Sequence, residues 1–241
     1  MAGEENLKER IRSGKPTIGL ITPMTADKAR LEGMLDGGDY QFVSVDSQHG
    51  PFNEERLVEF CTAAQELGMP VHFRIKHTRH TYLIGNLLDL GPSMIEAPQV
   101  EQEDTVHEAV DNFYYRPVGK RSWGGTSRLG LSERPGLREY ADWWNGYGVL
   151  WMQVESIQAI SNIPRLVQPG VDCVSWGPAD LSFDREANPH HPLAKSDDAC
   201  VEYAAKLLEG LDAKLAIRHY DKSLRQKYLD MGATVLLERP S

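Results

Sequence analysis

The sequence predicts an α/β protein of the (β/α)8 TIM barrel type, a single domain over residues 1–241, on three observations. Eight short aliphatic segments alternate with stretches of helical periodicity. The length of 241 residues suits one barrel of this kind. No Gly-rich nucleotide loop follows the first strand, because TIGLITPM lacks G-x-G-x-x-G, and a doubly wound sheet is therefore the weaker reading.

The predicted strands are TIGLIT (17–22), QFVSVD (41–46), VHFRI (71–75) and SMIEA (93–97), then VLWMQVE (149–155), VDCVSW (171–176), KLAIR (214–218) and TVLLE (234–238). Helical signals fill the gaps. Asn53 can cap a helix whose Leu57, Phe60, Ala64 and Leu67 recur at 3.6-residue spacing, with Glu54 and Glu55 at its positive end. Asp221 can cap another, with Leu224 and Tyr228 on one face before Gly232. One long loop excursion, at about 114–146, contains Trp123, Trp143, Trp144 and several glycines. Loops of this length are uncommon unless functional or disordered, and the aromatics predict a lid or a subunit contact.

Composition excludes several classes of function. A net charge of -9 argues against a general phosphate-binding surface, so no nucleic-acid partner is expected. The charged N-terminus MAGEENLKERIRSGK has no apolar signal region, and no run of about 18 apolar residues predicts a membrane span. Cys61, Cys173 and Cys200 are odd in number and lack metal-type spacing. Small buried thiols in a cytoplasmic protein are the expectation.

The carboxyl ends of barrel strands form the active-site face, and polar residues collect there. Strand two ends in Asp46, Gln48 and His49 before the Gly50-Pro51 turn. Strand three places His72, Arg74 and Lys76 on one side by its period of two. Strand five places Gln153 and Glu155 together, GPAD puts Asp180 just past strand six, and strand seven ends in Arg218, His219 and Tyr220. Each has a duller reading in isolation, as a capped histidine, a structural ion pair or a solvated acid. HTRH (77–80) reads as a helix entry and NPHHPL as a turn, not as metal sites. Packing alone does not explain so many polar strand ends in barrel order.

VDSQHGPFNEE, FRI around Arg74, LLDLG (87–91), MIEAPQV, RPVGKRSWGG, MQVES and VSWGPADLS follow one another as in the HpcH/HpaI aldolases, which this chain resembles over roughly residues 16–238. The resemblance implies a metal-dependent class II pyruvate aldolase, a lyase that cleaves or forms 4-hydroxy-2-oxo acids. It implies His49 as general base and Arg74 as the donor to the keto oxygen and developing enolate. Asp89 corresponds to a carboxylate that raises the basicity of the histidine, and Asp46 is a second candidate for that task. Glu155 and Asp180 correspond to metal ligands. Gln153, Asp180 and the backbone at Ala179 correspond to contacts with the pyruvate-like end of the substrate. The implied partners are a keto acid and an aldehyde or other electrophile, in a homo-oligomer.

The chemistry agrees with these roles. Breaking a carbon–carbon bond beside a ketone leaves an enolate, which a divalent ion can stabilise as a Lewis acid. An all-oxygen shell favours Mg2+ or Mn2+, with Co2+ as another candidate, over Zn2+. Arg74 supplies fixed positive charge, and a histidine titrates in the useful range for a base.

The chain also departs from the family pattern. Gln48 stands where many relatives have Glu, Trp176 replaces an aliphatic residue, and Arg218-His219-Tyr220 replace small or apolar ones. Side chains at these places that face the mouth would suit a bulky, polar or anionic acceptor. The sequence stops at Ser241, directly after strand eight, where the family generally continues into a helix exchanged between subunits. The alternatives are a citrate-synthase-like or macrophomate-synthase-like enzyme that joins carbon atoms by the same metal-enolate chemistry, and a lapsed barrel that only binds a keto acid. A Schiff-base mechanism through Lys76 is a further alternative.

Overall fold

The computed structural model describes residues 6–218 and 221–240. Eight parallel strands close into a barrel in sequence order. They are β1 (Thr17–Ile21), β2 (Phe42–Asp46), β3 (Val71–Arg74) and β4 (Met94–Ala97), followed by β5 (Val149–Val154), β6 (Cys173–Trp176), β7 (Lys214–Ile217) and β8 (Val235–Glu238). All eight fall within the segments expected from sequence.

The period of two sorts each strand between two cores. Val43, Val45, Phe73 and Ile95 point outward into the layer between sheet and helices. Phe42, Met94, Trp151, Cys173, Val235 and Leu237 fill the barrel interior. Phe42 and Trp151 meet edge to face at 5.9 Å between ring centroids, a favoured aromatic geometry. A Cβ on Gly19 would lie 2.3 Å from the Phe42 ring, so β1 is kept bare to admit it.

Among the helices, α1 (Leu7–Arg12), α2 (Lys28–Leu35), α3 (Glu54–Glu66), α4 (Ile84–Leu88) and α5 (Glu103–Phe113) precede β5, with α6 (Leu137–Tyr147) directly before it. α7 (Ile157–Ser161) and α8 (Ile163–Leu166) follow β5, and α9 (Pro178–Ala187), α10 (Asp197–Leu207) and α11 (Arg225–Asp230) complete the set. Asn53 caps α3 as expected, accepting from Arg56 N at 3.0 Å, and Leu57, Phe60 and Ala64 are buried. Asp221 caps a 3-10 turn over Lys222–Leu224 instead of an α-helix. That tighter turn leaves Leu224 exposed, while Tyr228 is buried in α11.

Helix α1 carries no periodic apolar signal, yet it closes the amino end of the barrel. Ile11 is fully buried against the interior core. Lys8 Nζ donates to Asp172 Oδ2 at 3.0 Å, Tyr114 OH at 2.8 Å and the Gly148 carbonyl at 2.7 Å. Burial lowers the Lys8 pKa although Asp172 opposes the shift.

The excursion differs from the expected lid. Its last part is helix α6, and the whole segment joins the end of α5 to the start of β5. It therefore lies at the amino ends of the strands, on the face opposite the mouth. There the Arg128 guanidinium stacks 3.9 Å from the Trp123 ring and 4.8 Å from Tyr140, while Trp144 Nε1 donates to the Phe113 carbonyl at 2.9 Å. Cys61, Cys173 and Cys200 are buried free thiols. Among the described residues no helix is long and apolar enough to cross a membrane.

Removing Lys8 takes from the buried Asp172 carboxylate one of its two cationic partners. Lys8→Ala is expected to destabilise the protein by about 3 kcal/mol, the scale for breaking a buried pair, read as a lower urea midpoint. An unchanged midpoint would show that Arg12, which donates to Asp172 Oδ1 at 2.8 Å, suffices alone.

Candidate active site

Above the apolar interior lies a buried polar layer. Ser44 Oγ meets His72 Nδ1 at 2.9 Å, and His72 Nε2 lies 3.6 Å from Glu96 Oε2. Ser175 Oγ and Arg218 Nη1 both donate to Glu96. His72 and Glu96 are fully buried. Burial drives the His72 pKa well down, and Arg218 and Arg74 add to the effect. The serine, histidine and glutamate have the connectivity of a nucleophilic triad, but they are sealed beneath the mouth and out of a substrate's reach.

The mouth is built on Arg74, the last residue of β3. Its Nε and Nη2 donate to the two oxygens of Asp46, the Nε contact being 2.9 Å. Its Nη1 donates to Gln153 Oε1 at 3.1 Å. These contacts take three of the five N–H groups of a guanidinium and leave the other two uncommitted. Asp46 Oδ1 also accepts from Gln48 N at 2.9 Å, which fixes the turn after β2. Burial pushes the Asp46 carboxyl up, but Arg74 outweighs it and Arg218 adds to the opposing charge, so the group is held below its ordinary value.

Glu155 follows β5 and is 7% exposed. Its Oε2 accepts from Gln99 N at 3.1 Å. Gln99 has φ 50°, the one positive value among the described residues other than glycine, and this left-handed turn aims its N–H at the carboxylate. Gly177 makes the space: a Cβ there would lie 2.2 Å from Glu155 Oε1 and 2.5 Å from its Cγ. Asp180 stands in the first turn of α9, half-buried. Burial, then Asp180, then Glu96 raise the Glu155 carboxyl to about 7, with Arg74 and the Gln99 N–H opposing. Ala179, exposed beside Asp180, has an N–H of the first helical turn, where the backbone lacks an intrahelical acceptor.

These residues can be compared with those of known proteins. A sequence model of the HpcH/HpaI aldolase/citrate lyase family matches residues 26–222. The chain belongs to that family. 4-Hydroxy-2-oxo-heptane-1,7-dioate aldolase of Escherichia coli is 28% identical over 236 residues, covering 95% of this chain and 86% of that protein. An HpcH/HpaI aldolase from Desulfitobacterium hafniense shares the fold with a TM-score of 0.83 at 22% identity, over 98% of this chain and 90% of its own. The citrate synthase SbnG superposes with a TM-score of 0.79 at 21% identity, over 99% and 91%.

Within this HpcH/HpaI chain the structure brings Asp46, Arg74, Gln153, Glu155, Ala179 and Asp180 to one end of the barrel. His49 is there too, exposed beyond the end of β2, with no hydrogen bond to the described residues. Asp46 serves Arg74 rather than His49. Asp89 lies at the other end: it follows α4, precedes β4, and accepts from Arg121 Nη2 at 2.8 Å. Lys76 is exposed. His77 accepts from Arg79 N and His191 from Leu193 N, so both cap short turns as expected. Trp176 packs outward into the helix layer, whereas Arg218 turns inward. His219 and Tyr220 lie outside the described residues.

Among the described residues no three His, Cys, Asp or Glu side chains are placed to hold a metal together. The carboxylates of Glu155 and Asp180 nevertheless fit a hard divalent cation, since burial and then the charge of Asp180 raise the Glu155 pKa and a cation would relieve both. Such an ion would draw its remaining oxygens from substrate and water.

Two outcomes follow. Gly177→Ala keeps an ordinary backbone but displaces the flexible Glu155 carboxylate. The variant is expected to fold normally and lose at least about tenfold in Mn2+ affinity by electron paramagnetic resonance; wild-type affinity would dissolve the link between Gly177 and the site. Second, Mn2+ affinity of the wild type should fall as pH drops through about 7, where Glu155 takes its proton, by roughly tenfold per unit. In the metal-free protein the same raised value stabilises the fold below the ordinary carboxylate range and ceases to do so as pH rises through about 7. A flat affinity between pH 6 and 8 would count against Glu155 as a ligand.

Proposed function

We propose that this aldolase-family enzyme cleaves and forms 4-hydroxy-2-oxo acids through a pyruvate enolate, using a divalent metal, Mg2+ or Mn2+. One observation carries the reading: the Glu155–Asp180 carboxylate pair faces a guanidinium, Arg74, that is fixed on two sides and has N–H groups to spare. When bound by Glu155 and Asp180, the metal supplies Lewis-acid stabilisation of negative charge on the keto acid.

The protein's own groups account for the remaining work. In cleavage, His49 takes the proton of the 4-hydroxyl. The electrons of that O–H bond form the new carbonyl as the C3–C4 bond breaks, and the pair from that bond becomes the enolate. The two uncommitted N–H groups of Arg74 then hydrogen-bond the enolate oxygen, with Asp46 and Gln153 preventing the guanidinium from swinging away. The first-turn N–H of Ala179 and the side chain of Gln153 orient the carboxylate end. Half-buried Gln48, neutral where an acid is usual, keeps a negative charge away from the carboxylate pair.

Asp89 cannot reach His49 within one chain, because the two stand at opposite ends of the barrel. We infer that a second copy supplies it, and that the excursion around Arg121 is the surface that presents it, in a homo-oligomer. The name of the Escherichia coli relative supports a keto-acid substrate and cleavage. The synthase alternatives use the same metal-enolate chemistry but would require an acyl-thioester or a second unsaturated substrate, and a lapsed barrel would form no enolate.

Proton exchange at the pyruvate methyl group in D2O, followed by NMR, tests the enolate without knowledge of the electrophile. Exchange should require Mg2+ or Mn2+, stop with EDTA, and be lost in His49→Ala. Arg74→Lys should slow it by about 100- to 1,000-fold, since an ammonium cannot reproduce the fixed fork. No exchange in metal-loaded wild type would refute the pyruvate-enolate reading.

A further inference from the structure

Gln99 meets the candidate cation site with its backbone and not with its side chain. It stands two residues past the end of β4, and its side chain is exposed. Its φ of 50° is nevertheless a conformation that disfavours side chains other than those of asparagine and aspartate. Two anchors hold the turn there. Thr78 Oγ1, in the 3-10 turn Thr78–Leu83 after β3, donates to the Pro98 carbonyl at 2.7 Å, with the Gln99 carbonyl 3.4 Å away. On the other side Val100 N donates to the Gln153 carbonyl at 2.8 Å. Strained backbone persists only where its surroundings over-determine it, and both of these anchors belong to the mouth.

The result of the strain is one hydrogen bond, from Gln99 N to Glu155 Oε2 at 3.1 Å. It divides the two oxygens of that carboxylate. Oε2 is tied on the β4 side. Oε1 lies over Gly177, where a Cβ would come within 2.2 Å of it, and so faces the turn that leads to Asp180. A carboxylate tethered at one oxygen cannot rotate freely, and it presents the other oxygen to an ion shared with Asp180. One oxygen from each carboxylate suits the compact octahedral shell of Mg2+ or Mn2+. Ca2+ gathers a looser shell of about six to eight oxygens and readily takes both from one carboxylate.

We propose that Gln99 is a positioning residue that makes the cation site selective. Its backbone N–H restrains Glu155 to a single metal-facing oxygen and thereby favours Mg2+ and Mn2+ over Ca2+, while Thr78 sustains the turn. The assignment rests on the reading of Glu155 and Asp180 as cation ligands.

The test needs no substrate. Mn2+ binding is followed by electron paramagnetic resonance, and Ca2+ binding by its displacement of that Mn2+. Gln99→Gly and Gln99→Asn both accept a positive φ and should keep the wild-type ratio of Mn2+ to Ca2+ affinity. Gln99→Val opposes that conformation and should lower the ratio at least about tenfold, the scale for losing a partner that orients a metal ligand. Thr78→Val removes the hydroxyl with little change of shape and should shift the ratio in the same direction, whereas Thr78→Ser should preserve it. This second pair decides the matter if Gln99→Val does not fold. A folded Gln99→Val with the wild-type ratio would show that the turn merely redirects the chain, and so would an unaltered Thr78→Val where Gln99→Val fails to fold. Loss of selectivity in Gln99→Gly would assign the effect to the side chain and overturn the proposal. Wild type that binds Ca2+ as tightly as Mn2+ would also overturn it, and wild type that binds neither removes the Glu155–Asp180 site itself.

Discussion

A guanidinium fixed inside a barrel is the constraint on which the rest of the mouth depends. Arg74 can serve an enolate only if it does not collapse onto the acids around it, and its position is settled by Asp46 on one side and Gln153 on the other. These partners come from β2 and β5, so the closure of the sheet itself sets the direction of the charge. Ser47 reinforces this by donating from Oγ to the Arg74 carbonyl at 2.8 Å. The fork is therefore preorganised and needs no rearrangement when charge develops. Asp46 contributes by holding Arg74, which is why it has no need to touch His49.

The strands were legible in the sequence because the barrel imposes a strict period of two between two different cores. Val43 and Val45 alternate with Ser44 and Asp46, and the structure separates them as that pattern demands. The mouth residues were legible for the same reason, being polar at the carboxyl ends of strands. Helix α1 was not, because six residues with only Ile11 fully buried among its apolar ones carry no periodicity. The role of Gln99 was hidden as well, since its backbone N–H acts through a positive φ that no side chain announces. Gly177, the glycine of GPAD, carries no sign in the sequence of its task, which is to make room for Glu155. Glu96 left a usable signal: an acid at an inward position of SMIEA has to find partners, and it found Arg218 and Ser175.

Connectivity explains the two largest differences between expectation and structure. In a (β/α)8 barrel every helix returns the chain to the amino ends of the strands. Whatever lies between a helix and the next strand therefore lies away from the mouth. Asp89, after α4, and the excursion, after α5, both fall in such connections. Spacing along the sequence gives no warning, since Asp89 is close in number to Arg74 and Glu96 and yet a barrel's height away. The excursion spends its aromatics on Arg121 and Arg128 instead of covering a substrate. The Arg121 guanidinium stacks on the Tyr115 and Trp144 rings at 4.9 and 4.6 Å while pairing with Asp89. An arginine so confined holds the carboxylate in one place, as a surface built to present that acid would need.

The charge balance around the mouth favours the proposed cation. Asp46, Glu96, Glu155 and Asp180 carry four formal negative charges, and Arg74 and Arg218 carry two positive ones. Asp46 and Glu96 are each matched by a guanidinium, so the excess falls on Glu155 and Asp180. Glu155 reports this directly, since burial and the neighbouring Asp180 raise its pKa to about 7. Taking up a proton would relieve half of that excess and destroy the pair as a ligand. A divalent cation relieves all of it and keeps both oxygens in place.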